Sequence, residues 1–361
     1  MADTYAASGL TPQVWDSKFF EEYTQESLFR PYMGTGETDI IQVKEDLTKK
    51  SGDSVTYALV NRLRNEGVTG SNSLEGNEED LSSRSFRLYV DKLRHGVRVA
   101  EMEEQRSAIP LRNAARAVLK TWAMEKLRNN IIDALGSFTT DGKTYATSSA
   151  SERNTWLTNN SDRVLFGAAI ANASSNVFAT ALATLDTTND RFTAAAARQM
   201  KRIALAANPK VAPIEVGEAG KRAYVVFVGP RCFRDLQTSL ETINKDAMQR
   251  GMDNPLITGA DLHYDGLVFK LVDDIAVLSG VGASSADVEP VYLCGTQAVG
   301  LAWAKRTTSR TEEFDYGDKF GVAIEEIRGV RKLMFGSGSS DTTTPKDNGL
   351  VTGFFAAPAD A

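Results

Sequence analysis

The sequence is poor in the residues that most chemistry needs. Two histidines, His95 and His263, leave little for imidazole-based metal or acid/base sites. Two cysteines, Cys232 and Cys294, make no disulfide framework, and they stand too far apart for zinc spacing. No apolar run approaches the roughly 18–20 residues of a membrane span. The opening MADTYAASGL has neither the basic start nor the apolar centre of a secretory signal. These absences read as a chain made in a reducing cytoplasm, with no membrane partner. Positive charge is not in excess either: 41 Lys and Arg against 47 Asp and Glu give a net charge of −6. Such a surface does not grip nucleic acid throughout, although an inner wall that only encloses it needs no basic excess.

What is present is a chain of 361 residues, 42% hydrophobic and 24% charged, more than one average domain in an ordinary globular mix. Residues 1–50 read as an arm with a short helix near 12–28. After the turn Ser51-Gly52-Asp53-Ser54, Val55, Tyr57, Leu59 and Leu63 alternate with more polar residues, which predicts a half-buried strand. A second alternation carries Phe86, Leu88 and Val90. Between the two lie residues 64–83, with Gly67, Gly70 and Gly76, far longer than the two to five residues of a usual hairpin loop. The stretch is either a plain surface loop or a long two-stranded arm that lies on a neighbour.

Leu111, Ala115, Leu119, Ala123, Leu127, Ile131 and Leu135 recur every four residues, with Pro110 before them and Gly136 after. They predict a helix of about 26 residues, roughly 39 Å long, a strut rather than an average helix. Residues 137–161 read as loop or short hairpin, and two alanine-rich helices are expected near 162–185 and 193–207, the second capped by Thr193. Ala223–Val228 reads as a buried strand, followed by a helix near 231–250. Further strands are expected at 267–272, 274–278, 290–294 and 320–335, and a short helix at 296–303. Residues 336–349 read as flexible, and the apolar 350–357 as an added strand or a docking end.

No constellation of residues has the form of an active site. Gly280-Val281-Gly282 lacks the third glycine of a dinucleotide fingerprint and enters a strand where a phosphate cradle needs a helix. Cys232, at a helix start, reads as a packing residue or a thiol of lowered pKa. The acidic cluster Glu75, Glu78, Glu79 and Asp80 sits on a glycine-rich segment that offers no rigid mounting for catalysis. It reads as a solvated loop or as one half of an inter-subunit contact, with Arg112, Arg116 and Lys120 on the long helix as candidate counter-charges. The sequence thus predicts no catalytic residue, no cofactor and no metal, but a body with projecting pieces, the anatomy of an assembly protein.

Three stretches carry a resemblance. The first runs from Gly52-Asp53 through Glu66-Gly67-Val68, Leu74-Glu75-Gly76-Asn77-Glu78-Glu79 and Leu93-Arg94-His95-Gly96-Val97-Arg98 to Glu104-Gln105-Arg106. The second is Tyr224–Val228 with Gly229-Pro230, then Asn254-Pro255 and Gly266. The third is Gly295, Gln297, Ala298, Asp315, Asp318 and Phe320-Gly321-Val322-Ala323, with Gly329, Lys332 and Phe335. In this order they resemble the major capsid proteins of tailed phages with the Hong-Kong-97-type fold, most closely the podophage group typified by coliphage N-four.

The resemblance implies an α+β fold with an N-terminal arm at 1–50 and an extended hairpin, the E-loop, at 51–98. It implies a peripheral domain at 99–222 with a spine helix at 107–136 and a helical elaboration. An axial domain with returning peripheral strands would follow at 223–335, and a flexible tail at 336–361. It implies self-assembly as hexamers and pentamers into an icosahedral head around double-stranded DNA, built in the host cytoplasm and ending in the virion. With the hairpin starting near residue 51, little room is left for a cleaved scaffold segment, so a separate scaffolding protein is expected, with a portal and a decoration protein as further partners. Some relatives join an E-loop lysine to a neighbour's asparagine, but residues 64–87 contain no lysine. An encapsulin-like compartment is the same-fold alternative, and a cytosolic α+β enzyme the alternative from another class.

Overall fold

Period-two and period-four apolar patterns become a mixed α+β architecture in the computed structural model, which describes residues 28–48, 52–60, 67–79, 83–106, 111–173, 175–216, 221–245, 262–336 and 343–360. The chain divides into two units. The first comprises 1–55, 88–136 and 299–331, and the second 56–87, 137–298 and 332–361.

The first unit is built on a five-stranded sheet. Its strands are β1 (Met33–Gly34), β2 (Ile41–Lys44), β5 (Asp91–Ala100), β12 (Val299–Phe314) and β13 (Lys319–Lys332), in the order β1-β2-β12-β13-β5. β12 runs parallel to β2, with Val299 opposite Ile41, while β13 pairs antiparallel with β5 from Lys319–Ala100 to Arg328–Asp91. A short helix α1 (Glu101–Arg106) leads toward the long helix α2 (Leu111–Leu135), which packs on β5 and β12. Ala115, Leu119, Ala123, Leu127 and Ile131 are buried along one stripe, as a four-residue apolar repeat on a 3.6-residue helix requires. At 25 residues the helix is about 37 Å long. The His95 ring lies 4.5 Å from the Trp122 ring, a packing role between strand and helix.

Strands β3 (Ser54–Val60) and β4 (Ser83–Tyr89) pair as a separate two-stranded sheet. Val55 and Tyr57 on one strand and Phe86 and Leu88 on the other are buried, while Thr56, Ala58 and Arg87 are exposed. The alternation is the reason this segment is a strand pair. Within the second unit Phe86 packs edge-on against Phe335 at 6.5 Å.

The second unit carries a sheet in the order β6-β16-β11-β8-β10-β9: β6 (Val164–Phe166), β16 (Leu350–Ala356), β11 (Val288–Cys294), β8 (Lys221–Val228), β10 (Leu267–Leu271) and β9 (Leu262–Tyr264). β7 (Ile214–Val216) also pairs with β8. Helices α5 (Ala194–Ala206) and α6 (Pro230–Lys245) cover it, with Met200, Ala204, Leu236 and Leu240 meeting Val226, Phe269, Leu293 and Phe355 in one core. Thr193 caps α5, its hydroxyl accepting from the Ala196 N–H.

Several expectations are corrected. Residues 137–161 are not all loop: Ala150–Asn159 form helix α3, and residues 162–185 are not one helix but β6 followed by α4 (Phe178–Ala183). Alanine content argued for helix there. Pairing of Val164, Leu165 and Phe166 with β16 wins, because three apolar residues buried in a sheet outweigh weak local propensity. The expected helix at 296–303 is the start of β12, a continuous apolar run that periodicity cannot assign. In 274–278 a single bridge, Leu278 to Val288, replaces a strand. Part of the expected flexible tail is core: β16 is buried throughout, and Lys346–Asp347 form β15, paired with β14 (Met334–Phe335). Residues 137–222, expected beside the spine helix, fall in the second unit. The expected helix near 12–28, and 246–250 of the helix after β8, lie outside the described residues.

A buried ionic network joins α3 to β15 within the second unit. The Lys332 ammonium donates to Asp347 Oδ2 at 2.8 Å and to the Ser137 carbonyl at 2.6 Å, and both charged side chains are at most 2% exposed. Trp156 Nε1 donates to the same carboxylate at 3.2 Å, the Asp347 N–H donates to Asn160 Oδ1 at 2.8 Å, and Arg163 donates to the Asp347 carbonyl. Burial draws the Lys332 pKa below its ordinary value, against the pull of Asp347.

Candidate assembly surfaces

The tip of the β3–β4 hairpin is held by its own short-range bonds. The Asn77 N–H donates to the Leu74 carbonyl at 3.0 Å, Asn77 Nδ2 to the Ser73 carbonyl at 3.0 Å, and the Gly76 N–H to Glu78 Oε2 at 2.7 Å. Gly76 takes a φ of +86°, a left-handed turn suited to glycine. This turn presents Leu74, 62% exposed, beside the exposed carboxylates Glu75 and Glu78, with Glu79 half-buried. Asp80 lies outside the described residues. Of the expected counter-charges, Arg116 and Lys120 sit half-buried on α2 with contacts of their own, and the Arg112 side chain is outside the described set. The tip belongs to the second unit and the helical strip to the first.

A second surface, not anticipated from the sequence, lies on the first unit's sheet. The β5–β13 register sets Arg98 opposite Gly321, Gly96 opposite Ala323 and Arg94 opposite Glu325. Residues two apart share a face, and with Arg310, Glu312 and Phe314 of β12 these line a trough of about 450 Å³. Its floor is low because Gly96 and Gly321 lack side chains: a Cβ on Gly321 would come within 2.7 Å of the Phe314 ring. Glu325 accepts from Lys305, from Lys92 at 3.2 Å and from Arg310 at 2.9 Å, and this company, Lys305 foremost, holds its carboxyl at about 2. Arg94 and Arg98 are exposed and form no salt bridge with a described residue. The signal was present in the outward alternation Arg94-x-Gly96-x-Arg98, but the trough exists only once three strands are in register.

The turn that joins β12 to β13 shows a third feature. Asp315 and Tyr316 have φ of +55° and +52°, and the Tyr316 side chain is fully exposed. A large aromatic held out on left-handed backbone is costly to leave in water.

The remaining chemical candidates are packing groups. Cys232 is fully buried, and burial first, then the carboxylate of Glu289, pushes its thiol well up. It is therefore no activated nucleophile, and the Cys294 thiol is raised by burial too. Glu289 accepts from the Cys232 N–H at 2.7 Å at the start of α6. Gly280-Val281-Gly282 leads into one 3₁₀ turn at Ala283–Ser285, with no helix to cradle a phosphate. Among the described residues no cluster of His, Cys, Asp and Glu has the form of a metal site, and no helix is long and apolar enough to cross a membrane.

Comparison with known proteins gives one family. Residues 3–358 match the model of a phage capsid protein family. The major capsid protein of Pseudomonas phage KPP25 is 27% identical over 367 residues, covering 95% of this chain and 94% of that protein. Among solved structures, the capsid of cyanophage Pam1 aligns over 100% of both chains at 34% identity with a TM-score of 0.82. The capsid of Ralstonia phage GP4, at 24% identity and a TM-score of 0.73 over 93% of this chain and 92% of that one, shares the fold. A structural family accounts for projecting surfaces without a reaction centre, and the chain belongs to it: it is a member of the phage capsid protein family, a major capsid protein of a phage.

Proposed function

We propose that the protein closes by self-association, as hexamers and pentamers, into an icosahedral head that encloses double-stranded DNA without reading its sequence. The fold is of the Hong-Kong-97 type, in the podophage group typified by coliphage N-four. The first unit is the peripheral domain with α2 as its spine, the larger part of the second is the axial domain, and β3–β4 is the E-loop that lies across an adjacent subunit. Residues 1–50 form an arm that clasps a neighbour. A separate scaffolding protein, a portal and a decoration protein are the further partners, and assembly takes place in the host cytoplasm. The observation that carries this reading is the end-to-end match with a solved capsid chain at 34% identity. Heterologous contacts of this kind must close by symmetry or run on without limit. The encapsulin-like and enzyme readings are not favoured by a family made of capsid proteins.

The test is the size of the assembled protein. Expressed with its scaffold, the 39.2 kDa chain is expected to sediment as megadalton particles that appear closed and round in negative stain. A native mass that stays at one or two subunits under all conditions would overturn the proposal.

A further inference from the structure

We propose that the trough on the first unit's sheet is the seat of the acidic hairpin tip of a second copy of this chain. The inference rests on the shell reading and goes beyond it by naming the receiving surface, which is not the helical strip Arg112, Arg116 and Lys120.

The two surfaces match in charge and shape. The tip offers a protruding leucine, Leu74, with Glu75 and Glu78 exposed beside it. Its backbone is fixed by its own hydrogen bonds, so little ordering entropy is lost on docking. The trough offers the reverse. Arg94 and Arg98 have no salt bridge, and Arg310 is 71% exposed while touching Glu325. Glu325 is already answered by three cations, so Glu312 is the one acid in the trough left to oppose an incoming carboxylate. Arginine forks suit paired carboxylates. The floor of Gly96, Ala323 and Gly321 leaves depth for a turn of chain, and Phe314 supplies an apolar wall for Leu74. Exposed like-charged arginines on a sheet face repel one another, and an acidic occupant removes that repulsion.

Two chains carrying single cysteines test this, one with Glu75→Cys and one with Arg94→Cys. The native cysteines are both buried and stay out of the exchange. Co-assembled particles, mildly oxidised and run without reductant, are expected to give a disulfide-linked dimer that neither variant gives alone. Absence of that dimer in well-formed particles would overturn the proposal, as would a dimer formed only when Lys120→Cys replaces Arg94→Cys. In DNA-free particles the Arg94→Cys thiol is expected to resist maleimide. Full labelling there, with protection appearing only when DNA is packaged or added, would make nucleic acid the occupant and would also overturn it. Charge reversal gives an independent arm: Arg94→Glu with Arg98→Glu is expected to abolish particles while leaving circular dichroism unchanged, and Glu75→Lys with Glu78→Lys in the same chain to restore them. Lack of restoration counts against the pairing. If the unaltered protein forms no particles at all, the shell reading itself has failed, a result seen before any variant is made.

Discussion

Lys332 and Asp347 show how much can rest on one pair of side chains. Taking two charges out of water is expensive, and the pair persists because every remaining polar atom near it is answered, by Ser137, Trp156, Asn160 and Arg163. Removing one partner leaves the other buried and unpaired. Lys332→Met is expected to lower stability by about 3–5 kcal/mol in urea unfolding. The double variant with Asp347→Asn should lose less than the two single losses added, as coupled partners do. A single-variant loss below about 1 kcal/mol would mean that the pair is solvated. Nothing local in the sequence marks this lysine: in Val330-Arg331-Lys332-Leu333 it looks like any exposed cation, and its partner follows a glycine- and serine-rich stretch. The same limit hid the trough, since Arg310 and Arg94 are brought together by register across β13.

Helices and strands were legible in proportion to how local their causes are. The stripe of α2, the alternation of β3 and β4 and the Thr193 cap of α5 are written in neighbouring residues, and the structure holds them. The strands β6 and β12 are fixed by distant partners, so their local pattern misleads. Helix α3 was legible and missed: Ser149-x-x-Glu152 is a capping box, with the Ser149 hydroxyl accepting from the Glu152 N–H at 3.2 Å and Glu152 Oε2 accepting from the Ser149 N–H at 2.7 Å. The Lys143 ammonium beside it, then the Ser149 N–H, holds the Glu152 carboxyl down to about 2. A depressed carboxyl contributes in full above its ordinary value of 4.5 and loses its contribution as pH falls through about 2. Ser149→Ala is therefore expected to cost about 1 kcal/mol at neutral pH, with the same gap persisting near pH 3 in denaturant unfolding. A gap that vanishes by about pH 4 would show that the carboxylate is not held in the box.

At the scale of the molecule, the sequence reveals the assembly better than it reveals the contacts. An overlong hairpin and an overlong helix can be counted from residues, whereas a docking surface is defined by two copies at once. One property of the assembly does follow from composition. The hairpin has no lysine between residues 64 and 87, with Lys50 and Lys92 at its base. Particles boiled in detergent are expected to run as one band near 39.2 kDa, the sign of a shell held by noncovalent contacts alone. A ladder of covalent multimers would refute this.

The place of β16 in its sheet bears on how the protein is made. This strand pairs in parallel with β6 and antiparallel with β11, so it stands between two strands that the ribosome delivers earlier. Until residues 350–356 have emerged, β6 has no partner in the sheet and the edge of β11 is open. A chain arrested before that point carries an unpaired apolar edge, the kind that aggregates. Translation therefore delivers the keystone of this sheet late, and a subunit becomes fit to join others only after most of its length has been synthesised.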